Sequence, residues 1–279
     1  MERDAFKSTL AGSGFSFKKK FGQNFISDTA LLERIVRGAG VDGSTTVLEI
    51  GCGAGTLTRA LAKNAKYVYG YEIDDTLRPV LSRTLAGLDN VEIIFKDFMR
   101  VRIDELEKTL PPYKVVANLP YYITTPLIMA LVENSRKCLS LTVMVQEEVA
   151  LRLCAKPDTP DYGAITANVA LRGTCSILER VGRERFTPSP NVDSAVVRMD
   201  LSERRLDVED TDLFKKTVRA AFSSRRKTLE NNLVNGFSLT RGQAKSAIAE
   251  CGFKEGIRGE ALSPEQFALL SGKLKELGV

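Results

Sequence analysis

The sequence predicts an α/β fold, a parallel sheet wound with helices, followed by a small all-helical C-terminal domain. Three observations predict it. Short apolar runs of strand length alternate with helical patterns through about residue 150. One of those runs enters Gly51-Cys52-Gly53-Ala54-Gly55 and passes directly into a helix start, the strand, glycine loop and helix of a nucleotide-binding turn. A charge-dense stretch from Ser202 to Asp212 then precedes a tail that reads as helical throughout, which sets the expected domains at residues 1–203 and 204–279.

The elements follow in order. Lys18, Lys19 and Lys20 lie between Phe17 and Phe21, and make either a phosphate-and-base contact strip or a solvated charge run beside a docking hydrophobe. Ser27 or Asp28 can cap a helix carrying Leu31, Leu32, Ile35 and Val36. The strand Thr45 to Ile50 leads into the glycine loop. A dinucleotide fingerprint would need glycine where Thr56 stands, and a P-loop would need Gly-Lys-Ser/Thr, which is absent. Glu49, just before the loop, suits a cationic ligand better than a phosphate. The second strand, Tyr67 to Tyr71, ends in Glu72, placed to hold ribose hydroxyls. The third, Val91 to Phe95, is followed by Asp97, a potential acceptor for an adenine amino group.

The fourth strand, Val115 to Ala117, runs into Asn118-Leu119-Pro120-Tyr121. Pro120 cannot continue a buried strand, so the chain turns where α/β sheets bind ligands. This set suits attack by an exocyclic amine on an electrophile. Two acceptors aimed at the hydrogens of adenine N6, the Asn118 side-chain oxygen and a backbone carbonyl beside Pro120, most simply that of Leu119, favour a pyramidal nitrogen with a localised lone pair. Tyr121 offers a stacking face. The bland alternative is a strand ending in an Asn turn with a core tyrosine.

Further on, Pro126 to Val132 reads as a helix and Ser140 to Val145 as a strand. Glu147 and Glu148 are not a catalytic pair, because neighbours on a helix do not face each other. Phe186 to Ser194, with Pro188 and Pro190, reads as a rigid polar loop before the strand Ala195 to Leu201. Asp212 to Leu233 carries an apolar stripe at helical spacing. Lys215, Lys216, Arg219, Arg225, Arg226 and Lys227 fall on that stretch with no acid between Phe214 and Lys227, a basic face that fits a phosphate partner. A helix is expected near Arg241 to Glu250, and another is capped by Ser263 with Pro264 in its first turn.

Composition narrows the chemistry. The 279 residues carry a net charge of +5, mildly favouring a polyanion. There is no histidine, which excludes Ser-His-Asp and Cys-His nucleophile systems and His-ligated zinc, and no metal site is expected. Five scattered cysteines without a C-x-x-C pair read as reduced thiols in the cytosol. No apolar run reaches membrane-span length, and the first residues do not form a secretory signal.

Five motifs occur in one order: Phe21-Gly22-Gln23-Asn24-Phe25, Glu49 to Gly55, Tyr71-Glu72-Ile73-Asp74, Asn118-Leu119-Pro120-Tyr121, and Phe186 to Ser194. Together they resemble the KsgA-type small-subunit ribosomal RNA adenine dimethyltransferases, over nearly the whole chain. The resemblance implies a Rossmann-like, S-adenosyl-L-methionine (SAM) dependent catalytic domain with a helical C-terminal domain that binds rRNA. It implies dimethylation of N6 of two adjacent adenosines near the 3′ end of 16S rRNA, a cytoplasmic enzyme, and the small subunit or an assembly intermediate as partner. Family cofactor positions fall on Asn24, Ile26, Gly51, Glu72, Asp97 and Asn118, with Gly53 in the same loop. Target-base positions fall on Asn118, Leu119 and Tyr121 around Pro120, and Phe186 would cover the second face of a flipped adenine. Cys52 stands where many members carry proline, and Tyr122 where many carry asparagine. Two other readings compete: a large-subunit 23S rRNA adenine N6-methyltransferase of the antibiotic-resistance type, and a non-catalytic RNA-binding assembly factor.

Overall fold

The structure, a computed structural model, describes residues 17, 18, 22–202 and 206–279. Lys19, Lys20 and Phe21 lie outside the described residues. The chain forms two compact units. The first comprises Met1–Ala150 and Ser176–Ser202, the second Leu151–Cys175 and Glu203–Val279. A single cut between 203 and 204 therefore misassigns Leu151–Cys175. That segment holds Tyr162, Ala167 and Leu171, whose buried side chains pack with Phe214, Leu229 and Phe267 of the C-terminal helices.

In the first unit a short strand β1 (Phe25–Ile26) precedes helix α1 (Thr29–Gly38). Asp28 caps α1 by accepting from Leu31 N at 3.0 Å. Then β2 (Thr46–Ile50), α2 (Thr56–Ala62), β3 (Tyr67–Glu72), α3 (Arg78–Thr84), β4 (Val91–Phe95), α4 (Ile103–Thr109), β5 (Tyr113–Asn118), α5 (Thr124–Asn134) and β6 (Cys138–Gln146) alternate. The helix α6 (Glu147–Leu153) leaves this unit. After α7 (Ala164–Val169) come β7 (Thr174–Val181), β8 (Phe186–Thr187) and β9 (Ser194–Asp200).

Seven strands make one sheet in the order β4-β3-β2-β5-β6-β9-β7. The pairs among β2 to β6 are parallel, and β9 runs antiparallel to β6. β2 is flanked by β3 and β5, with Glu49 beside Gly70 on one side and Val116 on the other. Both faces are covered, so central strands are apolar almost throughout. Val47, Val116, Met144 and Val196 meet Leu31, Leu32, Ile35 and Leu61 in one core. Each such leucine or isoleucine contributes about 1.5–3 kcal/mol by burial. β1 and β8 pair separately, Ile26 opposite Phe186.

In the second unit the stretch expected as one helix from Asp212 to Leu233 is two, α8 (Thr211–Ala221) and α9 (Leu229–Phe237). Ser223 and Ser224 break it. The Asn232 side chain donates to the carbonyls of Ala221 (2.8 Å) and Ser224 (3.0 Å), satisfying the end of α8, and Thr228 caps α9. The apolar stripe runs on across the break because Phe214, Val218, Leu229 and Leu233 share one core with Phe267, Leu270 and Leu274. α10 (Arg241–Glu250) and α11 (Pro264–Glu276) follow, each opened by a capping box, at Thr240 and Ser263. No helix among the described residues is long and apolar enough to cross a membrane.

Candidate active site

The carboxyl ends of β2, β3, β4 and β5 open into one cavity in the first unit. It gathers Asn24, Ile26, Gly51, Gly53, Glu72, Asp97, Asn118, Leu119, Pro120 and Tyr121, which come from four of the five motifs or just beside them and from the turn after the third strand.

The glycine loop is a tight backbone turn. Gly51 and Gly53 adopt φ of 79° and 54°, a region that side-chain-bearing residues rarely enter. A Cβ on Gly53 would stand 2.8 Å from the Phe25 ring. Cys52 stands where the sequence resemblance leads proline to be expected. Its N–H donates to Tyr71 O (3.3 Å), a bond proline cannot make, and its thiol fits because Gly70 opposite has no Cβ, which would stand 2.5 Å from the sulfur. Thr56, in place of a third fingerprint glycine, donates its hydroxyl to Ile26 O at 2.6 Å and so ties β1 to the start of α2.

Two carboxyls lie beneath the loop. Glu72 is buried, accepting from Gly53 N at 2.7 Å and Asp74 N at 2.8 Å, one bond per oxygen. Burial pushes its carboxyl up despite those bonds. Glu49 is 1% exposed, and neither carboxyl oxygen has a hydrogen-bond partner of good geometry among the described residues. Burial pushes it up to about 8, with Thr58 and Cys52 opposing the rise and the Glu72 charge adding to it. Glu49 lines the same cavity. The sequence marks it as the one charged residue in an otherwise apolar strand, and that is the signal for a site role. Asp97 accepts from Met99 N at 3.0 Å and keeps an oxygen 3.5 Å from Arg100 Nε.

Asn118 ends β5. Its amide nitrogen donates to Asn24 O at 2.8 Å, which fixes the side-chain orientation and leaves Oδ1 as the acceptor. The Pro120 carbonyl is taken by Ile123 N and Thr124 Oγ1, both at 3.1 Å. The Leu119 carbonyl has no such bond among the described residues. Tyr121 is half-buried, its hydroxyl 2.7 Å from Ser194 Oγ, and burial pushes its phenol up. Tyr122, the neighbour at the mouth, is 60% exposed.

Three expectations are corrected. Phe186 is 1% exposed and belongs to the core with Ile26 and Leu31, held there by the β1–β8 pairing. It does not line the cavity, so it is no platform for a base in this structure. Lys18 is a strut: its ammonium donates to Asp74 Oδ1 (2.6 Å) and Thr76 Oγ1 (2.8 Å), and Gln23 joins the same carboxylate at 2.9 Å. Of the six C-terminal cations only Lys215, Lys216 and Arg219 lie on a helix, α8. Arg225, Arg226 and Lys227 occupy the turn after it, and Arg225 donates to the carbonyls of Pro160 (2.8 Å) and Tyr162 (2.5 Å). Lys216 stands 4.5 Å over the Phe237 ring. No cluster of three or more metal-ligating side chains occurs among the described residues.

A mostly parallel sheet with a glycine loop after its central strand, an acidic residue ending the next strand and an Asn-Leu-Pro-Tyr turn defines a Rossmann-like methyltransferase. Similar solved structures include the 23S rRNA methyltransferase ErmE (28% identity, TM-score 0.71, covering 90% of this chain and all of that one). A dimethyladenosine transferase from Plasmodium falciparum is similar in fold (24% identity, TM-score 0.74, 91% and 98% covered). Residues 14–275 match the ribosomal RNA adenine dimethylase family, and the chain belongs to that family. It is 43% identical to the ribosomal RNA small subunit methyltransferase A of Streptococcus thermophilus, covering 98% of this chain and 97% of that protein. The protein of the same name from Streptococcus agalactiae is 42% identical, over 100% and 99%.

Proposed function

We propose that the protein uses SAM to dimethylate N6 of two adjacent adenosines near the 3′ end of 16S rRNA, acting in the cytoplasm on the small subunit or an assembly intermediate. The observation that carries this reading is the Asn118 amide, locked by Asn24 with its oxygen as the remaining acceptor. The 42–43% identity to small subunit methyltransferases over nearly the full chain supports the choice of subunit.

The residues present fit the cofactor. A glycine cradle that a Cβ would fill, and a buried carboxyl without a partner at Glu49, suit a cationic ligand pressed against backbone. Glu72 would hold the ribose hydroxyls with its remaining lone pairs, Asp97 the adenine amino group, Glu49 the ammonium, and Asn24, Ile26, Gly51 and Gly53 would form the wall. When bound, SAM supplies a methyl group as an electrophile on its sulfonium.

The chain's part in transfer is positioning. In the first transfer Asn118 Oδ1 and Leu119 O accept the two N6 hydrogens, and in the second one of them holds the hydrogen that remains, so the nitrogen lone pair localises and points away from them. Pro120 fixes the turn that aims both acceptors, and Tyr121 stacks on the base with its hydroxyl anchored by Ser194. With no histidine in the chain, no imidazole is needed: once the new N–C bond forms, the surplus proton is acidic enough to leave to water. Lys215, Lys216, Arg219, Arg226 and Lys227 are assigned to rRNA phosphates.

The test is to incubate the protein and labelled SAM with undermethylated small subunits, large subunits and naked 16S rRNA, then map the label. Dimethyladenosine at two adjacent small-subunit positions is expected. Label on the large subunit would replace this reading with the 23S alternative, and no label on any RNA would favour a non-catalytic assembly factor.

A further inference from the structure

The second unit holds a pair of thiols that methyl transfer does not use. Cys154 follows α6, and Cys175 is the second residue of β7. Both are free cysteines, and their sulfurs stand 2.7 Å apart. A disulfide bond measures about 2.05 Å, so less than about 1 Å of movement closes the pair. The other thiols are placed differently. Cys52 and Cys138 are buried against the backbone carbonyls of Tyr71 and Ser140, and Cys251 caps the end of α10.

The two sulfurs are unequal. The hydrogen bond between the two sulfurs lowers the Cys154 thiol below its usual range, and the same contact together with burial raises Cys175. The lowered thiol is the nucleophile of such a pair, the other the resolving partner. The bracketed residues matter to the unit: Arg225 grips the carbonyls of Pro160 and Tyr162, and Asp158 N donates to Glu260 O at 2.8 Å. The thiols thus stand at the two ends of the segment on which Arg225 is anchored.

We propose that Cys154 and Cys175 form a redox-active dithiol site, closed to an intramolecular disulfide by peroxides or small disulfides and reopened by dithiol reductants. With hydrogen peroxide, the Cys154 thiolate attacks one oxygen. An S–O bond forms, the O–O bond breaks, and the hydroxide released takes up a proton to leave as water. The Cys175 sulfur then attacks Cys154 sulfur, the S–S bond forms, the S–O bond breaks and a second water leaves. Two thiols lose two protons and two electrons, and one peroxide becomes two waters. A small disulfide is attacked at sulfur instead, giving a mixed disulfide on Cys154 and one free thiol, and Cys175 then displaces the second. The site is independent of which RNA the enzyme modifies.

The experiment uses the full chain, treated with one equivalent of hydrogen peroxide or oxidised glutathione, alkylated, digested with trypsin without reduction, and mapped by mass spectrometry. Cleavage after Arg172 puts the two cysteines on separate peptides. The expected result is one cross-linked pair two hydrogens lighter than the separate peptides. Alkylation of both thiols should fall together by at least about tenfold, the reactivity difference between a free and a consumed thiolate. Cys52, Cys138 and Cys251 should be unchanged, and dithiothreitol should restore both thiols. In Cys175→Ser, glutathione should remain on Cys154. The proposal is overturned if Cys154 and Cys175 stay as alkylatable as Cys251, if Cys154 accumulates sulfinic acid without a link, or if the link joins Cys251. The wild-type map decides alone should the serine variant fail to fold.

Discussion

Replacing Glu49 with glutamine tests whether a buried, unpartnered carboxyl sits under the glycine loop. In the folded chain its pKa is pushed up to about 8 from an ordinary 4.5. The folded value is the higher one. Below pH 4.5 both states hold the proton and the contribution is fully present. Between 4.5 and 8 the unfolded chain releases it while the folded chain keeps it, so stability falls as pH rises and levels off above 8. The gap of roughly 3.5 units at 1.36 kcal/mol each corresponds to about 5 kcal/mol over the whole range, and about 2 kcal/mol between pH 6 and 8. This window is unusually clear because the chain has no histidine. Urea unfolding at pH 6, 7 and 8 should show wild type losing about 2 kcal/mol relative to Glu49→Gln across that interval. Saturating SAM should flatten the wild-type slope, because a cation gives the carboxylate a partner. Parallel pH profiles for the two proteins would refute the reasoning.

Asn118→Ala should slow single-turnover methylation of small subunits by about 10²-fold, the scale of losing one preorganised polar group, with subunit binding nearly unchanged; a rate near wild type sinks the acceptor role. Glu72→Ala should weaken SAM binding by roughly 1.5–3 kcal/mol in calorimetry, since two hydroxyls lose a charged acceptor. Changing Lys215, Lys216 and Arg219 together to glutamine should flatten the salt dependence of subunit binding by about two to three ions, at roughly 0.7–0.9 per phosphate contact; an unchanged slope would make α8 a solvated face. Arg225→Ala should instead destabilise the protein by about 1.5–3 kcal/mol by removing its bonds to two carbonyls, while the salt slope barely moves; denaturant midpoints separate the two effects.

The sheet and the turn were legible because their signals are local. Val115 to Ala117 is apolar on both faces, Pro120 must stop a central strand, and glycines at 51, 53 and 55 demand a turn at the strand end. What escaped depends on partners far along the chain. Phe186 leads a polar, proline-rich stretch and is expected over the target base, yet its pairing with Ile26, 160 positions away, seats it in the core. Lys18 reads as a free cation until Asp74 is folded beside it. The break after Ala221 is set by Asn232 capping backwards, while the apolar spacing runs through unbroken. Leu151–Cys175 carries no composition shift that would assign it to the C-terminal unit.

The place of β9 between β6 and β7 has a consequence for synthesis. When β6 leaves the ribosome, β5 pairs with one side of it, but the other side waits for Ser194–Asp200. About 45 residues intervene, which at 5–20 residues per second leaves that edge open for roughly 2–9 s. Leu141 to Val145 is apolar apart from Thr142 and carries two valines, the composition of a strand that recruits stray partners. The nascent chain is therefore most vulnerable to aggregation in this interval. A ribosome-arrested chain ending near residue 185 should bind a holdase chaperone, and one extended past residue 230, with β9 clear of the exit tunnel, should release it.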